Sequence, residues 1–339
     1  MNFVNKSVFD IYKIMKLLFL PLNYGDVIQS GMYDAFVDNG VELQVFDYFS
    51  HYEKNGRVLE RTRNELIKIA EKFRPDILHL QIQHTEIIDG LTIGKIKALL
   101  PNCKIVNWTG DVRNYVPPSY KDIARYADFN LISSTGQISF FEREIKKPVK
   151  YWQIGYNPKL YYSVSEEREN FKYDITFVAN DNSKENYPGR EERLIVIREL
   201  RKNFGERFGL FGNNWSKEFN SLGSIDQRSV MEVYHNSFCV LSLSHYNDLS
   251  HYFSDRLLMC LASGRPTICY RFPNWESYFT NNSDIVIANS IQEIPLKVKS
   301  LLANKNLANF IGQSGAALAF SEHTYFSRVK ELFEIIGVN

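Results

Sequence analysis

The chain has little of what marks the specialised protein classes. Only four cysteines occur in 339 residues, Cys103, Cys239, Cys260 and Cys269, with no Cys-x-x-Cys pair and mostly inside apolar runs. That pattern predicts buried, reduced thiols in a cytoplasmic protein. No apolar run approaches the roughly 18 to 20 residues of a membrane span, and the longest near the start, 14–22, is cut by Lys16 and Pro21. With Asp10 before it and no small-residue cleavage site after it, this run is not a signal peptide either. Charge of one sign is also missing. Forty Lys and Arg stand against 39 Asp and Glu, a net charge of +1, so no excess marks a nucleic-acid or polybasic membrane binder. A local basic face and peripheral membrane contact stay open.

Several motifs are absent as well. There is no Walker loop, no Gly-x-Gly-x-x-Gly after a strand, no His-Glu-x-x-His and no Gly-x-Ser-x-Gly. Kinase-like, dehydrogenase, zincin and hydrolase readings therefore lose their main signal. The seven histidines form no metal-ligand spacing, and no tightly held metal or cofactor is predicted.

What is present is an aromatic-rich but otherwise ordinary globular composition, with 24 Phe, 20 Tyr and 4 Trp. At roughly 150 residues per domain the length implies about two domains. From Met15, a second candidate start that would leave 1–14 as a loosely held extension, short β-rich runs alternate with helical patterns, the rhythm of βαβ units. Strands are predicted at 16–20, 41–48, 77–82, 104–108, 129–133 and 149–153, then at 174–179, 208–211, 238–242, 266–270 and 284–288. Helices are predicted at 58–73, 189–204, 227–236 and 254–263, with three more at the end. ILHLQI is apolar at nearly every position, as a parallel strand covered on both faces should be.

Between the two series, 155–172 has no clear periodicity and reads as a linker. The expected fold is α/β, with two Rossmann-like, doubly wound domains at 15–154 and 173–321 facing an interdomain cleft. Ligands of such sheets bind at the strand carboxyl ends.

The loops after the strands are therefore where chemistry belongs. Asp111 follows a buried strand and a Gly, which predicts a general base in the cleft; the other reading is a loop carboxylate that caps a turn or pairs with Arg113. His84 offers a second proton-transfer group or a structural histidine, and His79, inside its strand, reads as core. In the second half, Asn180 precedes the basic pair Arg190 and Arg193 at a helix start, a place suited to phosphate. Gly212 and Asn213 follow the next strand, and His245 opens the loop that ends in Ser254, Asp255 and Arg256. Ser254 or Asp255 would cap that helix, leaving amides for an anion.

These segments resemble the C-terminal domain of GT-B glycosyltransferases of the glycosyl transferase family 1 and spore maturation protein CgeB-like group. DITFVAN, GREERL, FGLFGNNW, SDRLLMCLASGRP, NSIQEIPLKVKSLL and SEHTYFSRVKELF occur in the order of that group, and IVNWTGDVR with ADFNLISSTGQ is similar to its acceptor-side domain. The resemblance implies transfer of a sugar from a nucleoside-diphosphate sugar to a glycan or other hydroxyl acceptor, without a bound metal. It places Asn180 near the phosphates, Arg190 or Arg256 on the diphosphate, and Gly212 with 221–226, including Asp226, near the nucleotide. Tyr24, Gly25, Trp108 and Arg113 would belong to the acceptor side, and the helix after 322 would cross back to the first domain. Many members carry a Glu at the position of Met259, where it accepts from ribose hydroxyls; a thioether cannot, so Asp255 or a backbone carbonyl would have to. The rival readings are a non-catalytic nucleotide-sugar or glycan binder, a sugar-nucleotide epimerase and a DNA-modifying glycosyltransferase.

Overall fold

The structure, a computed structural model, describes residues 14–22, 27–82, 86–164, 170–182 and 187–338. Its first sheet contains β1 (Lys16–Leu20), β2 (Glu42–Val45), β3 (Ile77–Leu80), β4 (Lys104–Thr109), β5 (Phe129–Ile132) and β6 (Val149–Tyr151). All pairings are parallel, in the order β2-β1-β3-β4-β5-β6. A second parallel sheet contains β7 (Tyr173–Val178), β8 (Phe208–Phe211), β9 (Ser237–Ser242), β10 (Thr267–Tyr270) and β11 (Val286–Ala288), in the order β11-β10-β9-β7-β8. The strand order reverses between β1 and β3 in one sheet and between β7 and β9 in the other.

Alternation along each strand builds two core layers per sheet. Leu17 and Phe19 join one cluster while Leu18 and Leu20 join another, because successive side chains leave opposite faces of a strand. The predicted strand 41–48 is corrected at its end. Asp47 accepts from the backbone amides of Phe49 and Ser50, each at 3.2 Å, and so caps a helix, Tyr48–Lys54. The predicted helix 227–236 is split in a similar way: Asp226 caps a short 3-10 turn, Gln227–Ser229, before the α-helix Val230–His235.

The last helix, Tyr325–Ile336, leaves the second domain and packs on the first. Its buried Tyr325, Val329, Leu332 and Ile336 join Leu17, Phe19, Met32, Trp108 and Trp152 in one cluster. The crossing is pinned by backbone bonds, Tyr156 N to His323 O at 3.2 Å and Tyr325 N to Tyr156 O at 3.0 Å. Gly155 is needed there because a Cβ would lie 2.8 Å from Tyr325 N. Among the described residues of 155–172, no helix or strand forms beyond the bridge at Tyr156.

The two domains also touch through His251 and Ser250. The Ser134 hydroxyl donates to Ser250 O at 3.0 Å, and Gln153 Nε2 and the Tyr151 hydroxyl donate to His251 O at 2.9 and 3.2 Å. These bonds hold the carboxyl ends of both sheets to a shared cleft. Among the described residues, no helix is long and apolar enough to cross a membrane.

Candidate functional site

Where β7 and β9 end side by side, the switch in strand order leaves a crevice, the default ligand position in an open parallel sheet. Two arginines occupy it. Arg193, buried, donates to Leu243 O at 2.8 Å and to Asn180 O at 3.3 Å; Arg256, half-buried, donates to Val178 O at 2.8 Å and to Leu243 O at 3.4 Å. Both guanidinium groups lie over the Phe177 ring, 5.4 and 5.7 Å from its centre. They thus tie the two strand ends together while adding two positive charges at one spot.

Among the described residues, no carboxylate lies within ion-pair distance of Arg193 or Arg256. Asp181, whose charge acts on Arg193, is buried and held by Arg190 through two bonds of 2.9 Å. Burial and the neighbouring Arg256 push the Arg193 pKa well down, yet a guanidinium keeps its proton in proteins. The cluster therefore stays cationic, and an anion bound beside it would offset the repulsion.

His245 adds no further charge. Burial, then Arg193, Arg256 and Arg190, lower its pKa to about 3, so the ring is neutral at pH 7. Its Nε2 lies 2.7 Å from Arg193 Nη1, which only donates, so Nε2 accepts and the proton sits on Nδ1. The ring stacks on Tyr187 with centres 4.5 Å apart.

Two cavities meet at Asp255 and Arg256. One, about 190 Å³, lies between the domains and is lined by Asp111, Val112 and Arg113 from the first and by Tyr187, Arg193, His245 and Ser254 from the second. The other, about 280 Å³, is lined by Asn180, Gly212, Asn213, Ile225, Gln227 and Met259. Ser254 is the N-cap of the helix Asp255–Ala262 and makes no side-chain cap bond, although Asp255 Oδ1 accepts from Arg256 N at 2.8 Å. The amino end of that helix faces the same crevice as the arginines, so its dipole reinforces their field.

The structure gathers most of the expected donor-side residues but changes the work of several. Arg190 is spent on Asp181. Asn180 caps the neighbouring loop, its Oδ1 accepting from Asn213 N at 2.8 Å. Gly212, at φ 134°, is required by packing, since a Cβ would lie 1.8 Å from Ala179 O. Asp226 accepts from Arg228 N at 2.8 Å as a local cap and does not line either cavity.

On the acceptor side, Trp108 is corrected outright. It is fully buried, its Nε1 donates to Trp152 O at 3.3 Å, and it belongs to the core. A strand buried on both faces leaves its last side chains no route to the cleft. Asp111 does reach the interdomain cavity, where its side chain is 52% exposed and also 3.4 Å from Arg113 Nη2, the pairing that was the other reading. Arg113 also meets Tyr187 of the second domain. Tyr24, Gly25 and His84 lie outside the described residues. His79 sits in an aromatic cage of Phe19, Phe36, Trp108 and Trp152, where burial lowers its pKa to about 3.

Sequence reasoning missed Tyr187 and Tyr252 on the interdomain cavity and Tyr161 and Tyr234 on the other. Nothing in the sequence singled them out, because a tyrosine serves core and pocket equally. Met259 lines the second cavity as that resemblance implied, with Asp255 on the same wall.

A family model described as Glycosyl transferase-like matches residues 190–334. No curated protein matches the chain. Among solved structures, HepE from Anabaena in complex with UDP-glucose is similar at a TM-score of 0.64 and 11% identity, over 95% of this chain and 99% of that one. Sucrose-phosphate synthase from Thermosynechococcus elongatus is similar at 0.64 and 12%, over 96% and 98%. An alpha-glucosyltransferase in complex with UDP and a 13-mer DNA is similar at 0.62 and 14%, over 96% and 100%. Two parallel Rossmann-like sheets, a terminal helix that returns to the first, and these likenesses together establish that the chain has the GT-B fold, with residues 190–334 similar to the Glycosyl transferase-like model.

Proposed function

We propose that the protein is a glycosyltransferase that moves a sugar from a nucleoside-diphosphate sugar to a hydroxyl acceptor in the interdomain cleft. The observation that carries this reading is the pair Arg193 and Arg256, two cations at the β7/β9 switch point that form no ion pair among the described residues. As the glycosidic bond breaks, negative charge grows on the leaving diphosphate, and Arg256 with the Ser254 helix end stabilises it. These groups are fixed by bonds to strand-end carbonyls, so they need no reorganisation as charge develops. UDP is the nucleotide named with HepE and the DNA glucosyltransferase, and it is the first donor nucleotide to test.

The cavity lined by Ile225, Gln227 and Met259 would hold the nucleoside, with Asp255 accepting from ribose hydroxyls in place of the carboxylate that Met259 lacks. Asp111, across the cleft, would take the acceptor proton, and its solvent exposure suits a base that works only once an acceptor covers it. Residues 15–154 would serve the acceptor and 173–321 the donor. The finer CgeB-like assignment rests on the quoted segments, and a cytoplasmic location on the reduced thiols, all four of which are buried.

Calorimetry with UDP, followed by release of sugar from UDP-sugars in the presence of a chelator, tests the reading. Binding and metal-independent release are expected. Failure to bind any nucleoside diphosphate would falsify it, whereas tight binding without turnover on any acceptor would favour the non-catalytic binder.

A further inference from the structure

A third cavity, about 720 Å³, opens at the carboxyl ends of β9, β10 and β11 and shares His245 with the interdomain cavity. Its size lies within the roughly 300–1,000 Å³ of ligand sites. Trp275 and Tyr270 supply ring surfaces to its wall, while Glu192, Asp248 and Glu276 set three carboxylates against the single guanidinium of Arg271. Among the described residues none of the three carboxylates forms an ion pair. The neutral His245 ring leaves that excess uncorrected.

The wall is built from bonded loops. Gly189 N donates to His245 O at 2.8 Å, His251 N to Pro273 O at 3.0 Å, and Asn289 N to Glu293 Oε2 at 3.0 Å. The cavity is therefore opposite in sign to the arginine crevice beside it. Unpaired carboxylates repel phosphate but accept hydrogen bonds from hydroxyl groups, and the apolar face of a sugar ring lies well on an indole or phenol ring.

We infer that this cavity, although it lies on the donor-side domain, is a saccharide subsite, taking an uncharged sugar unit of the acceptor next to the unit that the first domain holds to receive the new linkage. This rests on the glycosyl-transfer reading of the adjoining cleft. Trp275 carries the ring, Glu192 and Asp248 accept from its hydroxyls, and anionic glycans are turned away.

The test is an array of short neutral oligosaccharides probed with the full chain, with UDP affinity measured on the same preparations. The double variant Glu192→Gln with Asp248→Asn, which keeps side-chain volume, and separately Trp275→Ala, are each expected to weaken the retained oligosaccharide about tenfold while UDP affinity stays within about twofold. Absence of any neutral ligand, retention of sulfated or phosphorylated glycans alone, or unchanged binding in the double variant overturns the subsite. Oligosaccharide binding without UDP binding would instead defeat the transferase reading and leave the cavity as a saccharide site.

Discussion

At the carboxyl edge of the first sheet Asp111 stands 52% exposed beside Arg113, whereas at the same edge of the second sheet the Arg193 and Arg256 guanidinium groups bond strand-end carbonyls and, among the described residues, form no ion pair. Two domains of one architecture thus treat charge in opposite ways. Solvent and a neighbour neutralise it on one side, and on the other it is kept uncompensated by a buried framework. Under the proposed reading, a field fixed before the ligand arrives suits an anionic donor, and the open side suits a neutral acceptor.

The sharpest way to break this comparison is Asp111→Asn. Under the proposed division of labour, transfer should fall by about 10² to 10⁴ while UDP affinity stays nearly intact. Unchanged transfer in a steady-state assay would remove Asp111 from proton transfer. On the other side, Arg256→Ala should weaken UDP by about 30-fold or more, since truncating a hydrogen-bonded charge at a desolvated contact costs about 2 kcal/mol or more. Calorimetry showing equal affinity would move the diphosphate elsewhere. Arg190→Ala offers the control: its charge is already matched by Asp181, so its loss should act mainly on stability.

Gly212→Ala addresses the framework beneath the arginines. With φ at 134° and a Cβ 1.8 Å from Ala179 O, the variant should lose about 3 kcal/mol in urea unfolding, with the loops after β7 and β8 forced apart. Wild-type stability would show that those loops yield more easily than their bonds suggest.

The effect spread most gradually across conditions concerns pH. His79 in the first core and His245 and His323 in the second half are each held near pKa 3 by burial, against about 6.5 when unfolded. Below about pH 6.5 the unfolded chain therefore binds more protons than the folded one, so stability is full above that value and is lost as pH falls toward 3. Fully buried His79 should contribute about 1.4 kcal/mol per pH unit between pH 6 and 4, and His79→Leu should flatten the slope by that amount. An unchanged slope in urea titrations at several pH values would contradict its buried neutral state.

Much of the fold was legible because its causes are local. ILHL is buried at every position and reads as a covered strand, and the helix Leu59–Phe73 shows its apolar spacing and stops ahead of Pro75. The strand that ran too far, 41–48, failed where Asp47 offered its carboxylate to the next amides, a cap that competes with extension. The site was legible only as a neighbourhood. Arg190, Arg193 and Arg256 look alike in the sequence, yet one is paired with Asp181, one is buried against His245 and one lines both cavities. Trp108 was misread because loop and core differ by a single residue at the end of β4.

By itself the sequence determined two series of parallel strands and helices, the strand-end loops where a ligand belongs, and an overall charge close to balance. Each of these depends on residues close together in the chain. Only the tertiary structure decided which cations are free, that the helix Tyr325–Ile336 completes the core around Leu17 and Phe19, and that an acidic cavity adjoins the basic crevice. Those outcomes hang on contacts between segments far apart in sequence, where burial and the presence or absence of one opposite charge set what a side chain does.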